Sequence, residues 1–372
     1  MAQRGSIMTQ RREIRSAYME WAKLRSYARF NLAVSGMPNL PLARLPASLG
    51  DIEISAPGAY GYKPLVKRLA AKCGVEPECV VEATGTSMAN HLALAALIEP
   101  GDEILVEHPT YELILTTATY LGAKIARFPR VFEGGFQVDP REIERAITPR
   151  TRVIAITNLH NPTSVRTPDS ALRLVGEIAR SHGATVLVDE VYLEACYDSS
   201  ARSAFHLGPN FVVTSSLTKA YGLSGLRCGW ILAPPLLAER MWRLNDLFGV
   251  IPAHAAERLS VIALDHLAKI AADAKTLLDA NRARVNQFLD SRDDISAVRP
   301  EAGTIVFPKL ANGRADAFCQ LLRQKYDTAV VPGHFFEMPD FFRLGYSVDA
   351  ETLENGLQRI ASALDEFSHG HR

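Results

Sequence analysis

The feature that most constrains this chain is a series of short, almost wholly apolar segments separated by stretches with helical spacing. "CVVEAT", "EILVE", "KIARFP", "RVIAIT", "TVLVDE", "FVVTSS" and "CGWILA" have the length and composition of strands. Among them lie "SMANHLALAALI", "YELILTTATYLG", "DPREIERAI" and "DSALRLVGEIARSHG", whose apolar residues recur at helical spacing. A strand with one wet face alternates apolar and polar residues, whereas a continuous apolar run is covered on both faces. The pattern therefore predicts an α/β fold: a large domain with a mainly parallel, seven-stranded sheet flanked by helices. Ligands of such sheets sit beyond the carboxyl ends of the strands, so the polar residues there are the ones to collect.

A different pattern begins near Pro252. Residues 253–290 contain neither Pro nor Gly, which predicts one helix or two in series. Strand-like "GTIVFPKL", "TAVVPG" and "FFRLGYS" then surround the helical "DAFCQLLRQKY". A chain of 372 residues suits two domains. The expected division is an N-terminal segment over 1–45 opened by a helix in "REIRSAYMEWAKLRSYAR", a large domain over 46–260 and a smaller α+β domain over 261–372.

Bulk properties exclude several classes. The formal net charge is zero, so no global field draws nucleic acid or an anionic membrane. Cys73, Cys79, Cys196, Cys228 and Cys319 fit no metal-ligand or CxxC spacing. They are expected as reduced thiols of a cytoplasmic protein, Cys228 being of interest because it neighbours Arg227. The first residues lack the apolar stretch of a secretory signal, and no apolar run is long enough to span a bilayer.

At the strand ends, "EAT" runs into Gly85, Thr86 and Ser87, which open a helix and form either a simple cap or an anion cradle. Tyr111 follows "EILVE" and is either core or a plate for a flat ligand. Asn161 stands before a proline after "RVIAIT", in a turn or as an amide donor. "TVLVDEVY" supplies Asp189 and Tyr192; a carboxylate ending a buried strand is costly unless it is paired. "FVVTSSLTKAYGLSGLR" adds Ser216, Lys219 and Arg227. An anion cradle, an aromatic plate, an amide, a carboxylate with a phenol, and a lysine with an arginine suit a planar, phosphorylated, nitrogen-containing aldehyde, namely pyridoxal 5′-phosphate.

With "NLHNPTS", "VDEVY", "SSLTKAYGLSGLR" and "FFRLGYS" in this order, the chain resembles the fold-type-I pyridoxal-phosphate enzymes of the class I/II aminotransferase family over nearly its whole length. The resemblance implies that Lys219 forms the Schiff base and then shuttles a proton, and that Asp189 pairs with the pyridine nitrogen. It implies Tyr192 and Asn161 as donors to the phenolic oxygen, and Tyr111 as the stacked aromatic. Gly85, Thr86, Ser87, Ser216 and Arg227 would hold the phosphate. Arg343 would clamp the substrate α-carboxylate, with Ser35 and Gly36 in the closing segment "NLAVSG". A homodimer is expected, with Tyr60 as the candidate to reach the partner's phosphate. Two departures stand out: Ser164 follows "NPT" where many relatives have Gly, and Tyr60 directly precedes Gly61 instead of lying further upstream.

The expected reaction is transfer of an α-amino group from an L-amino acid to a 2-oxo acid. Elimination at a β-carbon or an amino-acid-modifying synthase reaction on the same scaffold is the alternative. Met37, His160, Phe248 and Phe335 are the candidates for the side-chain pocket. No second cation for an acidic side chain is evident; a neutral or aromatic amino acid with 2-oxoglutarate as acceptor is the expectation taken forward, which no residue of the sequence derives. "SLTK" also fits the SxxK of β-lactamases, but the SDN-like and KTG-like elements are missing. A transcription regulator built on the same domain would need a helix-turn-helix module before "FNLAVSG".

Overall fold

In the computed structural model, which describes residues 15–56, 58–197 and 201–369, the chain opens with α1 (Ala17–Leu24), β1 (Phe30–Asn31) and α2 (Lys63–Cys73). There follow β2 (Val80–Thr84), α3 (Gly85–Leu97), β3 (Glu103–His108), α4 (Glu112–Tyr120), β4 (Lys124–Pro129), α5 (Pro140–Ala146) and β5 (Thr151–Thr157). Then come α6 (Asp169–Ser181), β6 (Thr185–Asp189), β7 (Phe211–Ser216), β8 (Cys228–Leu232) and α7 (Pro235–Asn245). The Pro- and Gly-free stretch is two helices in series, α8 (His254–Asp265) and α9 (Leu267–Asp290). The remaining elements are β9 (Ile295–Ser296), β10 (Ile305–Val306), β11 (Lys309–Leu310), α10 (Ala315–Tyr326), β12 (Thr328–Ala329), β13 (Val331–Pro332), β14 (Phe342–Gly345) and α11 (Ala350–His369).

The seven expected strands form one sheet in the order β2-β8-β7-β6-β5-β3-β4. Every pair is parallel except the two made by β8, which is antiparallel to both β2 and β7. Successive residues of the strands enter two different cores. Ile154, Ile156, Val186, Val188 and Val213 pack on one face, and Val153, Ala155, Leu187 and Val212 on the other. Both faces are dry, which is why the strands read as apolar runs. Each such aliphatic side chain contributes about 1.5–3 kcal/mol on burial.

The C-terminal strands are shorter than the sequence pattern suggests. Pro308 interrupts "GTIVFPKL", because a proline has no N–H for the ladder. β10 joins β14 and β13, while β11 pairs with β9. "TAVVPG" likewise divides between β12, parallel to β1, and β13, antiparallel to β14. The β1–β12 pairing, Phe30 opposite Thr328, docks the N-terminal segment onto the C-terminal part of the chain.

The N-terminal helix is also shorter than expected. α1 starts after Ser16, whose hydroxyl accepts from Met19 N–H at 3.0 Å, and stops at Arg25. The part of that expectation before residue 15 lies outside the described residues. Among the described residues, no helix is long and apolar enough to cross a membrane.

Candidate active site

The carboxyl edge of the sheet gathers the polar residues, and register aligns them. Thr157 of β5 pairs with Asp189 of β6, which pairs with Thr214 of β7. Because β8 runs the opposite way, its amino-terminal end reaches this same edge and delivers Arg227. A cavity of ≈ 540 Å³ opens there. Its lining includes Ser35, Gly36, Thr86, Ser87, Tyr111, Asn161, Asp189, Tyr192, Lys219 and Arg227.

Asp189 is buried at the end of β6. Its Oδ2 accepts from Asn90 Nδ2 at 2.7 Å and its Oδ1 from Val191 N–H at 3.1 Å. Asn90 is fixed in turn by Thr214, whose hydroxyl donates to Asn90 Oδ1 at 2.6 Å. Burial pushes the carboxyl up from 3.8 to about 6, against the two hydrogen bonds. A carboxylate so placed favours a cation in front of it.

Lys219 follows β7, and its Nζ donates to Ser35 Oγ at 3.0 Å. Burial holds this amine below the ordinary lysine range, and the Arg343 and Arg227 cations act in the same direction. The segment bearing Ser35 lies directly on the lysine: Met37 N–H donates to Lys219 O at 2.7 Å. A Cβ on Gly36 would stand 3.3 Å from Lys219 Cδ. The buried Tyr192 phenol is raised by burial, opposed by the Arg343 charge and a hydrogen bond with Ser35.

On the other side, Gly85 adopts φ +73°, and a Cβ there would run into the Arg227 guanidinium. Gly85 N–H donates to Arg227 O at 2.7 Å. Thr86 donates to Ser216 Oγ at 2.8 Å, and Ser216 shares a 2.7 Å hydrogen bond with Thr218. Ser87 and Arg227 are exposed at the mouth. The first turn of α3, with the hydroxyls of Thr86 and Ser87, thus lies beside an arginine and the hydroxyls of Ser216 and Thr218, an arrangement suited to a phosphate.

Arg343 of β14 is buried next to, not within, the cavity lining. Its Nη1 donates to Asn161 Oδ1 at 2.9 Å and its Nη2 to the Tyr18 hydroxyl at 2.7 Å. Asn161 is seated from below. Its N–H donates to Thr157 Oγ1 at 3.0 Å, and the Thr157 hydroxyl donates to Glu107 Oε1 at 2.6 Å. Glu107 Oε2 accepts from Arg130 Nη1 at 2.7 Å in a pair with no exposed side-chain surface.

The remaining expected residues scatter. Tyr60 is 56% exposed and donates to Asp246 of its own chain at 2.7 Å. Of the side-chain-pocket candidates only Met37 lines the cavity. His160 is buried between Pro109 O and Thr163, Phe335 packs on Trp21, and Phe248 on His91. Ser164 takes φ +60°, the left-handed conformation for which glycine is favoured. Burial pushes the Cys228 thiol up to about 12, so it is no thiolate near neutral pH.

Asn90, Tyr18, Thr157 and the Glu107–Arg130 pair are the site residues that sequence reasoning missed. Only Asn90 carried a signal: it lies four residues after Thr86, on the same face of α3. The other pairings join positions with no local relation.

Pyridoxal phosphate fits the residues present. Asp189 is a buried carboxylate with no ion pair among the described residues, Lys219 an amine biased toward its neutral form, and Gly85 leaves backbone space beside Arg227. Among the described residues no cluster suited to a metal ion exists.

Comparison with known proteins agrees. The family described as "Aminotransferase class I and II" matches residues 54–360. Capreomycidine synthase of Streptomyces vinaceus is 29% identical over 368 residues, 95% of this chain and 94% of that protein. A probable aspartate/prephenate aminotransferase of Thermus aquaticus is 29% identical over 296 residues, 78% of this chain and 77% of that protein. The crystal structure of a PLP-dependent aminotransferase from Streptococcus suis superposes with a TM-score of 0.90 at 27% identity, covering 95% of this chain and 98% of its own.

Proposed function

From the premise that this chain belongs to the class I and II aminotransferase family, whose cofactor is pyridoxal 5′-phosphate, we propose that it moves the α-amino group of an L-amino acid to a 2-oxo acid. When bound, the cofactor supplies an aldehyde for Lys219 and a ring that accepts electrons from the substrate Cα. Lys219 offers a neutral amine because burial and the nearby cations disfavour its charge, so it can take the Cα proton and return it. Asp189 keeps a proton on the ring nitrogen, its own charge being relieved by that cation. Tyr192 and Asn161 donate to the phenolic oxygen, and Tyr111 forms the wall against the ring. Thr86, Ser87, Ser216 and Arg227 would hold the phosphate through charge-assisted bonds of about 1.5–3 kcal/mol each, while Gly85, whose own N–H is engaged by Arg227 O, would leave room beside the guanidinium and not bond the phosphate itself. Arg343 takes the α-carboxylate, and the segment with Ser35 and Gly36 shields the reacting atoms from water.

The observation that carries this reading is one cavity lined by both a buried carboxylate and a half-buried lysine, each destabilised in its charged form. Its test is a single turnover of the cofactor-loaded protein with pooled L-amino acids and no acceptor, followed by mass spectrometry. Transamination gives one equivalent of a 2-oxo acid and no free ammonia. Release of ammonia, or a product that keeps its nitrogen, overturns it.

The second reading is an amino-acid-modifying synthase. It is favoured by one fact: the similarity to capreomycidine synthase spans 95% of this chain, against 78% for the Thermus aquaticus aminotransferase. The same experiment separates the two, because a synthase returns a rearranged amino acid in place of the oxo acid.

We further propose a cytoplasmic homodimer. Ser87 and Arg227 are open to solvent in the single chain. Leu49, Ile54, Tyr60, Leu247 and Phe248 are large exposed hydrophobic residues of the kind that mark association surfaces. Light scattering at micromolar concentration gives twice the chain mass if this is right and the chain mass if it is wrong.

A further inference from the structure

We infer that Tyr18 is a positioning residue for the substrate carboxylate: its hydroxyl stands on Arg343 where one carboxylate oxygen would sit, and it gives way when substrate binds. This rests on the reading of Arg343 as the carboxylate clamp. Arg343 is 1% exposed and does not line the cavity, whereas Tyr18 does. Tyr18 is therefore the wall between the cavity and the guanidinium. Nη1 is taken by Asn161 and Nη2 by Tyr18, while Nε is buried and has no partner among the described residues. The guanidinium carbon lies 5.5 Å from the Tyr18 ring centre and 5.1 Å from that of Phe336.

Nε and Nη2 form one edge of the guanidinium, and elsewhere in this protein that edge binds a carboxylate. Arg68 donates from Nε to Asp265 Oδ1 at 3.0 Å and from Nη2 to Oδ2 at 3.2 Å. On Arg343 a single neutral oxygen occupies half of the same edge. A desolvated cation stripped of acceptors is costly, so the phenol stabilises the resting arrangement. A carboxylate brings a charge and a second oxygen, and so replaces the phenol with a stronger, two-point contact.

Tyr18 is held on Arg343 by the position of its helix. Glu112, the first residue of α4, accepts from the N–H groups of Ala17 and Tyr18, both at 3.0 Å, and from the Ser16 hydroxyl. It thereby satisfies the open amino end of α1. The adjacent Tyr111 meets the Tyr18 ring edge-on at 5.9 Å. Glu112 thus pins the helix that carries the stand-in, acting through Tyr18 and itself neither touching Arg343 nor lining the cavity.

The test is calorimetric titration of the cofactor-loaded protein with propionate, which has a carboxylate and no amino group. Tyr18→Phe removes the competitor and leaves the ring in place. It is expected to tighten propionate about tenfold, the worth of one hydrogen bond to a charged group. The KM for the amino acid is expected to fall with it while kcat stays nearly unchanged. Glu112→Gln, which loosens the pin, is expected to shift propionate binding in the same direction. Unchanged or weaker binding in Tyr18→Phe overturns the inference, since a merely structural tyrosine, or one that itself binds the carboxylate, gives that result. Arg343→Lys separates the two layers. If it retains normal propionate affinity, the assignment of Arg343 has failed; if it loses affinity and Tyr18→Phe does not tighten, the role of Tyr18 has failed.

Discussion

Replacing Asp189 by Asn is expected to stabilise the cofactor-free protein while disabling the loaded enzyme. The folded chain raises this carboxyl from 3.8 to about 6 by burial. A carboxyl whose pKa is raised on folding gives its full relative stability below the unfolded value, where both states are protonated, and loses it as pH climbs to the folded value. Between 3.8 and about 6 the folded chain therefore holds a proton that the unfolded chain has released, and stability falls by about 3 kcal/mol. The loss then persists at neutral pH until a cation arrives in front of the carboxylate.

Asparagine carries no such penalty. It keeps the acceptor for Val191 N–H, and the Asn90 amide can turn over because the Thr214 hydroxyl accepts as well as donates. For a chain of this length, about 3 kcal/mol corresponds to a rise in Tm of roughly 4 °C. Scanning calorimetry of cofactor-stripped protein at pH 7.5 reads the gain directly, and the gain should shrink toward zero as pH is lowered from 6 to 4. In the loaded enzyme, turnover should fall at least about a hundredfold, as for loss of a preorganised electrostatic partner. An unchanged or lower Tm at pH 7.5, or a gain independent of pH, would refute the argument that burial of this charge is what the site holds in reserve.

Gly85→Ala forces a Cβ toward the Arg227 guanidinium at φ +73°; cofactor affinity should drop more than about tenfold by equilibrium dialysis, the worth of one charge-assisted phosphate bond lost when that guanidinium is displaced. Glu107→Gln leaves the buried Arg130 without its charge partner and should cost about 3–5 kcal/mol in urea unfolding. Lys219→Ala should lose the visible absorption of the lysine-bound cofactor and all turnover while keeping its circular dichroism. In cofactor-stripped protein the Lys219 amine should react with an acylating probe at a lower pH than ordinary lysines. Arg227→Gln should move that reactivity to higher pH, because it removes one of the cations that disfavour the ammonium.

Much of the scaffold was legible because the signals are local. A strand dry on both faces must be apolar throughout, so the inner strands of the large sheet declared themselves in a few consecutive residues, whereas the half-exposed edge strand β4 carries Lys124 and Arg127 among its apolar residues. The strand ends were legible for the same reason: Asp189, Lys219 and Asn161 follow apolar runs directly. The expected long strands of the C-terminal part failed at Pro308 and Val330, where one extended stretch serves two different partners, and pairing partners are not written in a single segment. Helices α7 and α11 carry amphipathic spacing too, but the alternation that announces the sheet does not require them.

Periodicity and residue order suffice for an α/β sheet with a lysine and a carboxylate at its carboxyl edge, and they leave the turn at Gly85 open between a helix cap and an anion cradle. Only the tertiary structure decided how those groups are tuned. Asn90 meets Asp189 across 99 positions, Glu112 pins Tyr18 across 94, and Tyr18 covers Arg343 across 325. Contacts between such distant positions exist because the topology closes large loops and water leaves. Removal of water is also what raises Asp189, lowers Lys219 and obliges a buried arginine to borrow a phenol.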